Sequence, residues 1–177
     1  MKNLLIGIKL FIVLTIMTGM LYPAFVTLIA QTVFRSQANG DPYLIGQKFD
    51  QNKYFWSRPS AVDYNTLPSG GSNLSVTSKS LKEIVGKRKA LLVASDITKI
   101  EKQIPSDMLF ASGSGLDPHI SVAAALFQAE RVAKERKLDK KRVLELISKV
   151  IEGRGFFVFG EKRVNVLRLN ESLDKVK

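Results

Sequence analysis

Hydrophobic and polar positions along this chain fall into two regimes. From Leu10 to Phe34 the sequence reads LFIVLTIMTGMLYPAFVTLIAQTVF, 25 residues without a charge, bracketed by Lys9 and Arg35. Leu10 to Ala30 alone would make a helix of roughly 31 Å, about the hydrocarbon thickness of a bilayer. No acidic residue precedes Asp41. The pattern predicts a transmembrane helix over 10–34. A cleaved signal peptide is the competing reading, but its apolar core is usually about 7–15 residues, followed by a small-x-small site. The run here is longer and LIAQTVF offers no A-x-A, so an uncleaved anchor fits better. Gly19 and Pro23 are tolerated inside membrane helices, and Gly19 permits close approach of another helix. The hydroxyls of Thr15, Thr18 and Thr27 are expected to bond their own helix.

Beyond the span the pattern changes. Residues 36–77 are rich in Gly, Pro, Ser, Asn and Asp, with turn signals at ANGDP, SRPS and LPSGGSN. Between them YLIGQKF and KYFWSRPS predict short strands or edge segments. Loops this long inside a small domain usually bind something. Residues 78–94 predict a helix with Leu81, Ile84, Val85, Leu91 and Leu92 on one face. Asp96–Gln103 reads as a connector, MLFAS as a strand, and SGSGLDPHIS as a tight loop. A second helix over 121–137 starts at Ser121 as N-cap and carries Val122, Ala125, Leu126, Ala129 and Ala133 as its apolar stripe. Asp139 caps a third, with Val143, Leu146, Ile147, Val150 and Ile151 at helical spacing; Gly153 and Gly155 end it. FFVFG and RVNVLRL predict two strands around a Gly–Glu–Lys turn, and Asn170 a final helical cap. The fold class is therefore α+β: a short segment 1–9, a transmembrane helix 10–34, and one mixed α+β domain over 35–177.

Composition narrows the chemistry. Among 177 residues there is no Cys and one His, which excludes disulfide scaffolds, thiolate metal sites, a Cys nucleophile and any site needing two imidazoles. A mean hydropathy of +0.03 averages an apolar span with a hydrophilic domain. Lys and Arg outnumber Asp and Glu by 27 to 16, giving a net charge of +11. Lys134, Arg136, Lys137, Lys140, Lys141 and Arg142 cluster at a helix junction, but Glu135 and Asp139 interrupt them. A solvated helical face is preferred there to a nucleic-acid surface. Lys2, Lys9 and the N-terminus before the span, against Arg35, Lys48 and Lys53 after it, point to a cytoplasmic N-terminus.

Two loops carry candidate chemistry. Ser69, Gly70, Gly71, Ser72 and Asn73 could form a nest of backbone N–H groups for an anion or nucleotide phosphate. They lack the G-x-x-x-x-G-K-[ST] frame of a P-loop. Ser112, Gly113, Ser114, Gly115, Leu116, Asp117, Pro118 and His119 contain the residue types of a hydrolytic triad. Such groups normally come from separate elements, with the imidazole between hydroxyl and carboxylate. A structured loop that meets a partner fits better. No catalytic residue and no metal site is assigned.

About eight collinear blocks resemble one family. They are TGMLYPAFVTLIAQ, SQANG, LIGQKF, YFWSRPSA with the YN pair that follows it, SGGSNL, PSDMLFASGSGLDPHIS, ALFQAERVAKER and RVNVLRLNESLD. They resemble KdpC, the C subunit of the bacterial high-affinity potassium-transporting Kdp ATPase. The stretch between Gly40 and Leu44 is shorter than is usual in that family. The resemblance implies a single-pass protein of the bacterial inner membrane with an extracytoplasmic C-terminal domain. It implies a non-catalytic accessory role in the KdpFABC complex, in assembly and activity. The partners would be the channel-like potassium subunit KdpA, the P-type ATPase subunit KdpB, the small subunit KdpF and membrane lipid, without nucleic acid. The family is also described as a catalytic chaperone that raises the ATP affinity of the ATPase subunit, with SGGSN likened to a nucleotide-binding signature. ATP is thus the one cofactor the resemblance raises. The alternative is a membrane-tethered nucleotide or anion binding module acting through SGGSN. Nothing resembles the phosphorylated DKTGT loop of a pump subunit.

Overall fold

The computed structural model describes residues 2–35, 40–95, 104–156 and 158–176. The expected connector 96–103 lies outside the described residues. The chain divides into two units, Met1–Pro42 and Tyr43–Lys177.

The first unit is helical from its start. Helix α1 (Lys2–Ile16) passes through a π-helical turn, Met17–Leu21, into α2 (Tyr22–Val33). Lys2–Lys9 is thus helical too. The π turn has a local cause. Pro23 offers no N–H and its ring crowds the carbonyl four residues back, so the helix widens just before it. The Tyr22 N–H accordingly bonds the Met17 carbonyl, five residues back. Thr15 and Thr18 donate to the carbonyls of Phe11 and Leu14 at 2.8 and 2.7 Å, as expected. No residue of α1 or α2 is buried within the chain. Lys2–Val33 is long and apolar enough to cross a membrane.

The second unit is α+β. Its helices are α3 (Lys79–Ser95), α4 (Val122–Arg136), α5 (Lys140–Val150) and α6 (Val166–Asp174). Its strands are β1 (His119–Ser121), β2 (Ile151–Glu152) and β3 (Arg163–Asn165), antiparallel in the order β1-β3-β2. Val164 faces Ile120 on one side and Ile151 on the other, and this row joins the core. The caps of α4 and α5 are as expected: Ser121 accepts from the Ala124 N–H at 3.0 Å, and Asp139 from Lys141 at 3.0 Å. Asp107 holds Ser121 in turn, accepting its N–H at 2.7 Å. Helix α4 ends at Lys137 (φ 55°), and the Leu138 N–H reaches back to Ala133 at 2.9 Å. That is a Schellman-type closure with lysine where glycine is commoner.

Several expected elements differ. YLIGQKF and KYFWSRPS form no strand; beyond a single 3-10 turn at Pro42–Leu44 they are irregular. MLFAS begins within another 3-10 turn, Ser106–Met108, and is not a strand. In place of the FFVFG strand, whose Phe157 lies outside the described residues, an isolated bridge joins Gly155 and Phe159. Only RVN of RVNVLRL is extended; VLRL begins α6, capped by Asn165, whose side-chain Oδ1 accepts the Arg168 N–H at 3.2 Å. Asn170 is therefore inside the helix rather than its cap. Ile151 leaves its helix for β2, and His119–Ser121 leaves its loop for β1. In α4, Leu126 is exposed while Gln128, Arg131 and Val132 are buried. In α3, Leu92 is buried and Leu91 is exposed.

The irregular aromatic segment explains those buried polar residues. Phe55 is fully buried and Trp56 nearly so, and burying Phe55 alone contributes about 2–3 kcal/mol. Without a strand partner, their peptide groups need bonds from elsewhere. Asn170 supplies both for Phe55: its Oδ1 accepts the N–H at 2.9 Å and its Nδ2 donates to the C=O at 3.0 Å. Gln128 does the same for Trp56 at 2.7 and 3.1 Å. Arg131 donates to the carbonyls of Asn52 and Tyr54 and to Gln128 Oε1, and lies 4.2 Å from the centre of the Trp56 ring.

Replacing Asn170 with Leu should therefore cost about 2–4 kcal/mol, since a buried N–H and C=O both lose their partners. Gln128→Leu should cost a similar amount. The double variant should lose less than the sum, because either change releases the same segment. Chemical unfolding of the detergent-solubilised chain measures all three.

Candidate functional site

The two candidate loops meet. Gly71 of the first lies against Gly113 of the second, where an added Cβ would be 3.2 Å from the Gly113 carbonyl oxygen. Gly115 is closer still. At φ +71° its α-carbon faces Val62, and a Cβ would stand 2.6 Å from Val62 Cγ2 and 2.7 Å from the Gly70 oxygen. A third segment joins them: the Gly46 N–H donates to Leu116 O at 2.7 Å, and a Cβ on Gly46 would lie 2.6 Å from the Asp117 oxygen. Backbone thus packs on backbone at three glycines, which only the absence of side chains permits.

Residues 58–64 brace this junction. The Ser112 N–H donates to Pro59 O at 3.0 Å. Ser60 Oγ accepts from the amides of Val62 and Tyr64 at 3.2 and 3.0 Å, while Asp63 and Tyr64 both have positive φ, at 51° and 61°. The Tyr64 hydroxyl returns to donate to Arg58 O at 2.6 Å. Burial pushes that phenol up from 10.0 to about 12. Arg58 reaches Asp117 at 3.3 Å, and its Nε is buried without a hydrogen-bond partner.

His119 does not face a serine. Its Nδ1 lies 3.6 Å from Asp117 and its Nε2 lies 3.3 Å from Glu152. Ser114 Oγ accepts the Leu116 N–H at 3.1 Å and shapes the loop. The imidazole therefore sits between two carboxylates rather than between hydroxyl and carboxylate, which is not triad geometry. Burial alone would raise the Asp117 carboxyl. The hydrogen bonds from His119 and the charge of Arg58 outweigh it and hold the group below its usual range. Glu152 also meets Arg163 at 3.0 Å and Arg168 at 3.5 Å. Arg58, Asp117, His119 and Arg163 line a cavity of about 300 Å³ beside the sheet. A larger one of about 540 Å³ lies between α3 and the aromatic segment, with Trp56, Tyr64, Leu92 and Met108 on its walls.

In the first loop Ser69, Ser72 and Asn73 are exposed, with Asn73 at φ 51°. In the second Ser112 is buried, while Leu116, Asp117, Pro118 and His119 are half-buried. Among the described residues no group of three or more His, Cys, Asp or Glu side chains could hold a metal ion. Sequence reasoning missed Gly46, Arg58, Ser60, Tyr64 and Glu152. Gly46, Arg58 and Ser60 lie in the LIGQKF and YFWSRPSA blocks, but neither block shows that its residues meet the distant glycine loops.

Fold and site together define a class: a protein with, among the described residues, one helix long and apolar enough to cross a membrane, and an α+β domain whose loops pack closely at glycines. Residues 4–175 match the family described as "KdpC: K+-transporting ATPase, c chain". A protein of Paraburkholderia phytofirmans named potassium-transporting ATPase KdpC subunit is 47% identical, covering 100% of this chain and 99% of its own length. One of the same name from Burkholderia orbicola is 48% identical over 94% of this chain and 93% of its own. The chain belongs to the KdpC family. The alignment to the first relative runs over 192 positions, so that relative carries segments this chain of 177 residues lacks.

Two outcomes are expected. Gly115→Ala should destabilise the domain by roughly 2–4 kcal/mol, from left-handed backbone and overpacking combined. Gly113→Ala, whose Cβ would meet nothing within 4 Å, should stay within about 0.5 kcal/mol. The second outcome concerns pH. The folded state binds the Tyr64 proton more tightly than the unfolded chain. Its contribution is intact below pH 10 and is lost as pH rises from 10.0 to about 12. Tyr64→Phe should remove that part of the alkaline decline, read as the change in denaturation midpoint with pH.

Proposed function

We propose that this chain is a non-catalytic accessory subunit of an ATP-driven, high-affinity potassium uptake complex. The observation that carries this reading is the family match, which runs through both units from residue 4 to residue 175. The helix Lys2–Val33 anchors the chain in the inner membrane, where its exposed apolar surface packs on lipid and on the channel-like and ATPase subunits, with the small subunit nearby. The α+β domain stands on the extracytoplasmic side, in keeping with the basic residues before the span. There the glycine-packed loops form a preformed docking surface toward the channel-like subunit, over the potassium entrance. A loop braced backbone against backbone loses little freedom on binding. The His119 geometry supports a positioning role over hydrolysis. On this reading the domain has no direct access to cytoplasmic ATP, and any effect on ATP affinity is transmitted through assembly.

A second reading has one observation in its favour: Ser69, Ser72 and Asn73 are exposed on a loop that could receive a phosphate. A nucleotide would then bind at SGGSN directly.

Affinity capture of the tagged chain after gentle detergent extraction should bring down a channel-like membrane subunit and a P-type ATPase subunit. Recovery of the chain alone, from cells expressing the whole complex, would overturn the subunit reading. A reporter fused after the C-terminus should be active only outside the cytoplasm. A cytoplasmic signal would sink the extracytoplasmic placement and favour the second reading. Ser72→Ala with Asn73→Ala should leave the KM for ATP of the assembled complex unchanged; a clear rise with assembly intact would establish nucleotide contact.

A further inference from the structure

Between β2 and β3 the chain makes a tight turn. The Gly155 and Phe159 amides each donate to the other's carbonyl at 2.8 Å, and the Val158 N–H donates to Gly155 O at 3.1 Å. This turn is fixed by its own backbone. It holds Phe156 at φ 49°, a left-handed conformation that is uncommon and costly for a bulky side chain. The strain is not offset by burial. Phe156 is 90% exposed, Val158 70% and Phe159 71%. Three large apolar side chains are thus presented outward together, a pattern that marks a contact surface rather than core.

The charges beside the tip indicate what it meets. From Glu152 to Arg163 the charged residues are Glu152, Arg154, Glu161, Lys162 and Arg163, three basic to two acidic. Glu161 lies 3.5 Å from Arg154. Glu152, the other acid, is occupied by His119, Arg163 and Arg168. An apolar tip with basic flanks matches an anionic bilayer surface: rings enter the headgroup boundary while Lys and Arg meet lipid phosphates. The chain carries its own membrane helix, so lipid is at high effective concentration for any part of this domain. We infer that the tip carrying Phe156, Val158 and Phe159 inserts into the anionic lipid surface of the membrane in which the chain is anchored. This rests on reading Lys2–Val33 as a span, and it goes beyond the subunit role.

The chain has no Cys, so single spin labels can be placed without background. The full chain carrying Val158→Cys is reconstituted in vesicles of phosphatidylcholine with or without phosphatidylglycerol. Accessibility to oxygen is compared with accessibility to a polar nickel chelate. With phosphatidylglycerol the oxygen-to-nickel ratio should be several-fold above that of a label at exposed Lys141→Cys. It should fall in pure phosphatidylcholine or high salt, and return to the Lys141 value when Phe156→Ser and Phe159→Ser are added. A Val158 label that stays at the water-exposed value in every vesicle overturns the inference. So does one shielded from both probes only when the other subunits of the complex are present, which would mean a protein contact. A Val26→Cys label reports the anchor separately. An oxygen-rich Val26 with a water-exposed Val158 rejects the tip alone; a water-exposed Val26 rejects the span and the inference with it.

Discussion

The domain depends on providing hydrogen bonds for a buried stretch of chain that is neither helix nor strand. Residues 52–57 carry Phe55 and Trp56 into the core, where their side chains stabilise but their peptide groups have no ladder to join. An unpaired amide in such a place costs as much as the aromatic contributes. Gln128 from α4 and Asn170 from α6 each clamp one residue with a donor and an acceptor, and Arg131 takes the carbonyls that precede them. The segment is thereby locked to two helices at once. Its position then sets where Arg58, Ser60 and Tyr64 emerge, and these brace the glycine loops.

The loops illustrate how a surface can be rigid without regular structure. Gly46, Gly71 and Gly115 allow three backbones to approach closer than side chains would permit. Ser60, Tyr64 and Asp117 then tie the ends by hydrogen bonds to main-chain groups. The one histidine is placed between Asp117 and Glu152 by the first pairing of β1 with β3. These polar groups act as struts that fix the shape of the loops. The apolar helix follows a different logic: its backbone bonding continues through the widened turn before Pro23, and its apolar side chains are exposed.

Some of this was legible without coordinates. A run of 25 uncharged residues is long and apolar enough to cross a membrane as a helix, and this is legible locally because hydrophobic length is a local property. The helices beginning after Ser121 and Asp139 were equally clear, since capping and 3.6-residue periodicity act within a few residues. The collinear blocks carried the family. What failed was every element whose state is set by distant partners. KYFWSRPS has strand-forming residues, yet it is bonded by side-chain amides from about 72 and 115 residues away instead of by a neighbouring strand. VLRL alternates like a strand, but Asn165 caps it into a helix whose Leu169 and Leu173 face the core. Around Gly155–Phe159 the rings of Phe156 and Phe159 stay outside, against their usual preference. Local patterns determined the span, the helix starts and the presence of two glycine loops. Only the tertiary structure decided that those loops interlock and which polar residues hold the core, because those outcomes depend on contacts between residues that no local pattern relates.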